Sequence, residues 1–177
     1  MIADADGVNL PDSIRGKLEM SPVENLMLRV LRDAIPDMYV TSQVPVDVLG
    51  AMRHAGYEEG FVLVRRQDGR GVWGGDDRFL DQGAVAIHIF TNGDPDSDER
   101  AAMIAEGVRV AVRDAWVDGA RYYPGVGSLT RATMFEEPLR KTDWATSVGP
   151  VQYADLPEGW FRYEMRVHVW IRPPLWG

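Results

Sequence analysis

Three groups of residues in this chain have types and spacings that could do chemistry. Asp94, Asp96 and Asp98 follow the D-x-D-x-D spacing that opens a calcium loop. The pattern then fails, because its sixth position is Glu99 instead of glycine and its twelfth is Ala105 instead of a bidentate glutamate. Pro95 favours a helix start there, so these acids read as capping and dipole-facing residues. Asp76, Asp77 and Asp81 could gather round a divalent cation with His88, and they define a rival reading as a small metal-dependent enzyme. Their glycine-rich setting reads more simply as a solvated acidic loop. His54, His88 and His168 have no short zinc-type spacing, and His88 within A-I-H-I-F reads as a hydrogen-bonded sheet residue. Glu136 and Glu137 are adjacent in a strand pattern and would point to opposite faces, which rules them out as one acid/base pair. No nucleophile elbow, Walker loop or dinucleotide fingerprint occurs, and Gly125-Val126-Gly127-Ser128 lacks the strand-turn-helix order of an elbow. The expectation is therefore a chain with no catalytic residue, no metal and no cofactor.

A stronger signal lies near the end of the chain. Phe161 to Ile171 reads F-R-Y-E-M-R-V-H-V-W-I. Phe161, Tyr163, Met165, Val167, Val169 and Ile171 alternate with Arg162, Glu164, Arg166, His168 and Trp170. A period of two places these sets on opposite faces of a strand. This predicts a sheet packed on one side, with an Arg-, Glu-, His- and Trp-bearing face open to solvent or to another protein.

The other elements follow from pattern and punctuation. Residues 1–20 read as a polar arm, and 21–177 as a single domain. A helix begins at Ser21-Pro22-Val23-Glu24, where a capping box and a proline at the first position coincide. Its stripe is Val23, Leu26, Met27, Val30, Leu31 and Ala34, and Pro36 ends it. Met38 to Val44 reads as a strand, and Val46 to Tyr57 as a loop with a helical turn. Gly60–Arg66 is a strand, Gln67–Asp77 a glycine-rich loop, and Gly83–Thr91, apolar on both faces, a central strand. Asp94 is placed to cap the second helix, whose stripe is Ala101, Ile104, Ala105, Val108, Ala111, Val112 and Ala115. Gly107 is read there as a site of close packing. Tyr123–Gly127 is a glycine-rich loop, and Ser128–Glu137 a strand in which Leu129, Arg131, Thr133 and Phe135 alternate. Pro138–Trp160 reads as a long connection. The order predicts an α+β fold: a mixed, mostly antiparallel sheet with two main helices on one face.

Composition limits the partners. The charge is −8, which argues against broad adhesion to nucleic acid. There is no cysteine, hence no disulfide or thiolate site. The N-terminal sequence has no basic and apolar regions of a secretory signal, and no apolar run is long enough to span a membrane. Arginine outnumbers lysine 17 to 2, and there are six tryptophans. Arg forks and Trp rings are both enriched at protein contacts. Trp73, Trp144, Trp160 and Trp176 lie in loop-like sequence. The candidate interface residues are Arg70, Trp73, Arg78, Phe79, Trp144, Arg166, Trp170 and Trp176.

Several segments together resemble the tail terminator proteins of long-tailed, siphovirus-like bacteriophages, nearest to those infecting actinobacteria. They are S-P-V-E-N-L-M-L-R-V-L-R from Ser21, G-F-V-L-V-R-R from Gly60, W-G-G-D-D-R-F-L-D from Trp73, A-V-A-I-H-I-F-T from Ala84 and D-P-D-S-D-E-R-A-A from Asp94. The likeness spans about residues 20–172 and leaves out the arm and the Pro138–Trp160 connection. It implies a virion protein of the tail and neck, assembled in the host bacterial cytoplasm. Such a protein forms a homo-oligomeric ring, usually of six copies, caps the head-proximal end of the tail tube and stops its polymerisation. It binds the tail tube protein and offers the docking surface for the head-tail connector or stopper. Another neck or head-tail joining protein would share these features. DNA would pass the lumen without specific binding. Asp76 and Asp77 are the candidate channel-facing acids, and six copies at −8 each would surround the DNA with 48 formal negative charges.

Overall fold

The computed structural model describes residues 13, 23–67, 81–92, 96–118, 122–141 and 160–172. Helix α1 (Val23–Ala34) buries Val23, Leu26, Met27, Leu28, Val30 and Leu31. That is the predicted stripe with Leu28 added, while Ala34 is exposed. Strand β1 (Tyr39–Thr41) is much shorter than the predicted Met38–Val44. The Thr41 hydroxyl accepts from the Gln43 amide at 3.2 Å and donates to the Gln43 carbonyl at 2.8 Å, so side-chain bonding replaces the ladder at that point.

Helix α2 (Val48–Ala55) stands where the sequence suggested a loop with a helical turn, and it is a two-turn helix. It is short, and only Val48 and Met52 are buried. Its ends are well defined. Asp47 accepts from the Gly50 amide at 2.8 Å, and Gly56 closes the helix in the left-handed region at φ 103°, its N–H reaching the carbonyls of Met52 and Arg53. Strand β2 (Gly60–Arg66) matches its predicted bounds. Strand β3 (Asp81–Thr91) begins two residues before the predicted Gly83.

Helix α3 (Ser97–Val117) has Asp96 at its N-cap position with no side-chain cap bond, while Asp94 and Pro95 lie outside the described residues. Ala101, Ala105, Val108 and Val112 form its buried stripe, with Ile104 and Ala115 packed partly against the core. Gly107 does not serve close packing. It is exposed, and a Cβ there would meet nothing within 4 Å. Asp98 ties the start of α3 to the sheet: its Oδ2 pairs with Arg140 Nη1 at 2.8 Å and its Oδ1 accepts from the Tyr163 hydroxyl at 3.1 Å. Burial, then Asp98, raises the Tyr163 pKa and keeps that donor protonated.

Tyr123–Gly127 is a hairpin turn. Strand β4 (Tyr122–Tyr123) folds back on β5 (Gly127–Lys141), with Val126 N–H bonded to Tyr123 O at 3.0 Å and Gly125 and Gly127 at positive φ. β5 runs through Pro138 to Lys141, beyond the predicted Glu137. Three register shifts, between Leu129 and Arg131, Met134 and Glu136, and Glu136 and Leu139, break its simple alternation. Leu129, Ala132 and Met134 therefore face the core, while Arg131 and Thr133 pair with Trp170 and His168 on the other side. Thr130, the extra residue at the first shift, donates its hydroxyl proton to the Trp170 carbonyl at 3.0 Å.

Strand β6 (Phe161–Arg172) completes a six-stranded sheet of order β1-β2-β3-β6-β5-β4. Only the β1–β2 pair is parallel. The α+β class and the mixed, mostly antiparallel sheet are those expected from sequence. α1 and α3 cover one face, over Val62, Val64, Val85, Ile87, Ile89, Met165, Val167, Val169 and Ile171. Gly83 lets α1 approach closely, since a Cβ there would lie 3.0 Å from Val23 Cγ1. The second face is not wholly open as predicted. α2 packs on it through Val48 and Met52, over Phe61, Leu63, Phe90 and Trp160. Trp160 is thus a core residue, 5.9 Å from the Phe61 ring, which itself stacks on Phe90 at 4.8 Å.

Two substitutions test these assignments through urea midpoints. Gly107→Ala is expected to raise stability by about 0.5–1 kcal/mol, because an open helical position gains a methyl group and loses only unfolded-state entropy. A loss instead would mean that the position is crowded. Asp47→Ala is expected to cost about 1 kcal/mol through the lost cap of α2.

Candidate interaction face

The second face of the sheet collects the polar groups of four strands. Antiparallel pairing aligns them in rows. Leu63, His88, Glu164 and Leu139 form one row; Arg65, Ala86, Arg166 and Glu136 the next; Ala84, His168 and Thr133 the next; and Gln82, Trp170 and Arg131 the last. Directly opposed residues lie about 4.5–5.5 Å apart at Cβ, so each row is a contact set.

Toward α2 the charged groups of β6 are buried. Arg162 and Glu164 were expected on an outward face, yet they are only 8% and 5% exposed. They are sheltered because they adjoin the Phe61–Phe90–Trp160 cluster. Arg162 Nη2 donates to Glu164 Oε2 at 2.7 Å, and Arg166 Nε donates to Glu164 Oε1 at 3.1 Å. Arg166 also reaches Glu136 Oε2 at 3.1 Å. Residues two and four apart on one face of β6, with Glu136 opposite on β5, thus build the alternating chain Arg162–Glu164–Arg166–Glu136. His88 Nδ1 stands 3.5 Å from Glu164 Oε2 across the β3–β6 pair.

Electrostatics sort these groups by charge state. Burial pushes the His88 pKa down to about 4. Arg162, Arg65 and Arg166 add to the fall against the pull of Glu164, so His88 is neutral at pH 7. Burial raises the Glu164 carboxyl pKa, but His88 in its protonated form, then Arg162 and Lys141, and the hydrogen bond from Arg166 together outweigh it and hold the group below the usual range.

Farther from α2 the face opens. Trp170 is half-buried, with the Arg131 guanidinium 5.1 Å from its ring centroid and the His168 ring at 4.5 Å. Arg131 and Thr133 are exposed, and the Arg166 side chain is 36% exposed. The strip thus combines an aromatic plate, a guanidinium laid over it and a second guanidinium two rows away. Such groups favour binding over reaction.

Two sequence-predicted interface residues, Arg166 and Trp170, are brought onto this strip. Arg70, Trp73, Asp76, Asp77, Arg78, Phe79, Trp144 and Trp176 lie outside the described residues. Arg131, the partner of Trp170, was missed as a site residue, because the register shift at Thr130 sets its direction and no single-strand period reveals it. The metal reading is not favoured for two of its members: Asp81 and His88 are seven residues apart along β3, about 23 Å of strand at the usual rise.

No protein-family profile matches this chain, and no curated protein matches it. The functional reading therefore rests on the residues themselves and on the resemblance drawn from sequence.

Stability should depend on acid in a defined way. His88 has a folded-state pKa of about 4 against an ordinary 6.5. Between these values the unfolded chain holds a proton that the folded chain does not, so stability falls as pH drops from 6.5 to 4. The His88 contribution is on the order of 3 kcal/mol. Glu164, whose folded pKa is depressed, contributes stability that is present above its ordinary value of 4.5 and lost as pH falls through the folded one. Urea midpoints measured from pH 7 to 4 are expected to fall less in His88→Gln than in the parent. Parallel curves would show that His88 titrates normally.

Proposed function

We propose that this chain is a tail-terminator-type assembly protein. It closes into a ring, of six copies, on the last ring of a siphovirus tail tube, stops polymerisation there and receives the head-tail connector or stopper. The observation that carries this reading is the open strip Arg131–Arg166–His168–Trp170 on a sheet whose opposite face is fully engaged by α1 and α3. Arginine and tryptophan are favoured where one protein docks on another, since one supplies a rigid donor fork and the other a large apolar plate. The likeness of the Ser21–Arg32, Gly60–Arg66 and Ala84–Thr91 segments to terminators supplies the biological setting. Function then lies in recognition and closure, with a heterologous interface closed by rotation. The acidic balance of −8 per chain suits a lumen that DNA crosses without adhering.

The test uses the tail tube protein from the same virion. Polymerising it with this chain is expected to shorten the tubes and to place this chain at one end only, as seen by negative-stain imaging with a labelled chain. Tubes of unchanged length without end labelling would overturn the terminator reading. Binding to the connector alone would make the chain another neck component.

A further inference from the structure

Taking the assembly reading as its basis, we propose that the open strip of the second sheet face docks head to tail on a second copy of this chain, against the acidic end of that copy's helix layer. The argument starts from charge. Along β2, β5 and β6 the second face carries Arg65, Arg131, Lys141, Arg162, Arg166 and Arg172 against Glu136 and Glu164, a net of +4. The whole chain is −8, so the remainder carries −12. A second copy is therefore an electrostatic complement for this face, provided that it presents another surface.

The opposite face supplies that surface. A groove of about 390 Å³ lies where α1 and α3 end. Asp33, Asp114 and Asp118 line it beside Ala111 and Tyr123, and among the described residues no basic side chain does. Both helix C-termini add partial negative charge there. The last turn of α3 has no basic residue, although cations are the favoured choice at that position. Asp114 and Asp118 thus oppose the α3 dipole, with Arg113 offsetting only Asp114 at 2.7 Å. An incoming guanidinium would meet the carboxylates and the negative helix ends there together. Val117 and Tyr122, 56% and 40% exposed, flank this helix end in the chain and offer apolar contact to an aromatic plate such as Trp170. The basic and acidic surfaces lie on opposite sides of one sheet. Their contact is consequently heterologous, and repetition gives a closed ring or a filament, never an isologous pair.

The experiment uses two full-length variants chosen to keep the fold. Arg131→Glu with Thr133→Glu reverses the strip at two exposed positions and leaves the buried Arg162–Glu164–Arg166 chain intact. Asp114→Lys with Asp118→Lys reverses the groove, and lysine at a helix C-terminus favours the helix. Sedimentation at low ionic strength is expected to show self-association of the parent that weakens as salt rises. Each variant alone is expected to associate roughly tenfold to a hundredfold more weakly. An equimolar mixture of the two is expected to regain association, beginning with a heterodimer, because the intact strip meets the intact groove and the two reversed surfaces are again opposite in charge. The inference is overturned if the parent stays monomeric at every salt concentration. It is also overturned if the strip variant still self-associates like the parent, or if the mixture forms no heterodimer. A heterodimer from a chain that does not bind tube ends would retire the terminator reading and leave this docking mode standing. Tube capping unaffected by either variant would do the reverse.

Discussion

The structure depends on one unbroken run of pairing. β3 and β6 oppose each other over eleven consecutive residue pairs, from Asp81↔Ile171 to Thr91↔Phe161, with no bulge. That register decides which side of every neighbouring strand is core. Met165, Val167, Val169 and Ile171 go under α1 and α3 because Val85, Ile87 and Ile89 do. A slip of one residue would set Glu164 among the aliphatic side chains and Met165 among the arginines. The cost of burying an unpaired carboxylate makes the register specific as well as stable. Asp98, by holding both Arg140 and Tyr163, ties the long helix to β5 and β6.

What could be read from the sequence divides along the same physical line. Features set within one element were legible. Examples are the period of two in Phe161–Ile171, the bounds of Gly60–Arg66 and the stripe that runs from Val23 to Leu31. Features set by a neighbour were not. Arg162 and Glu164 look like solvent-facing charges along their own strand and become buried only through Phe61, Phe90 and Trp160. Arg131 took its direction from a bulge, and Gly107 gained no partner at all. Helix α2 escaped because only two of its eight residues are buried, too few to show a period, although Asp47 and Gly56 mark its ends. Of the candidate site, Arg166 and Trp170 were legible and Arg131 was not.

The two faces of the sheet divide the labour. One is aliphatic and closed, and supplies cohesion. The other grades from an aromatic corner, through a dry ion chain, to a half-open strip of Arg, His and Trp. The ion chain links these zones. Arg166 Nε lies 3.1 Å from both the buried Glu164 and the more exposed Glu136, which restrains the guanidinium.

β5 bears on how such a molecule avoids uncontrolled growth. Among the described residues its outer edge is paired only at Gly127 and Ser128, which leaves a long rim of backbone donors and acceptors. Unpaired rims of this kind template fibres when they are straight. Here three register shifts and Pro138 interrupt the rim, and Arg131, Glu137, Arg140 and Lys141 space charge along it. A foreign strand laid on it would lose its hydrogen-bond phase within a few residues. Polymerisation through the backbone, which has no natural stopping point, is thereby disfavoured. Along this edge only side chains remain free to make contacts of defined geometry and limited extent.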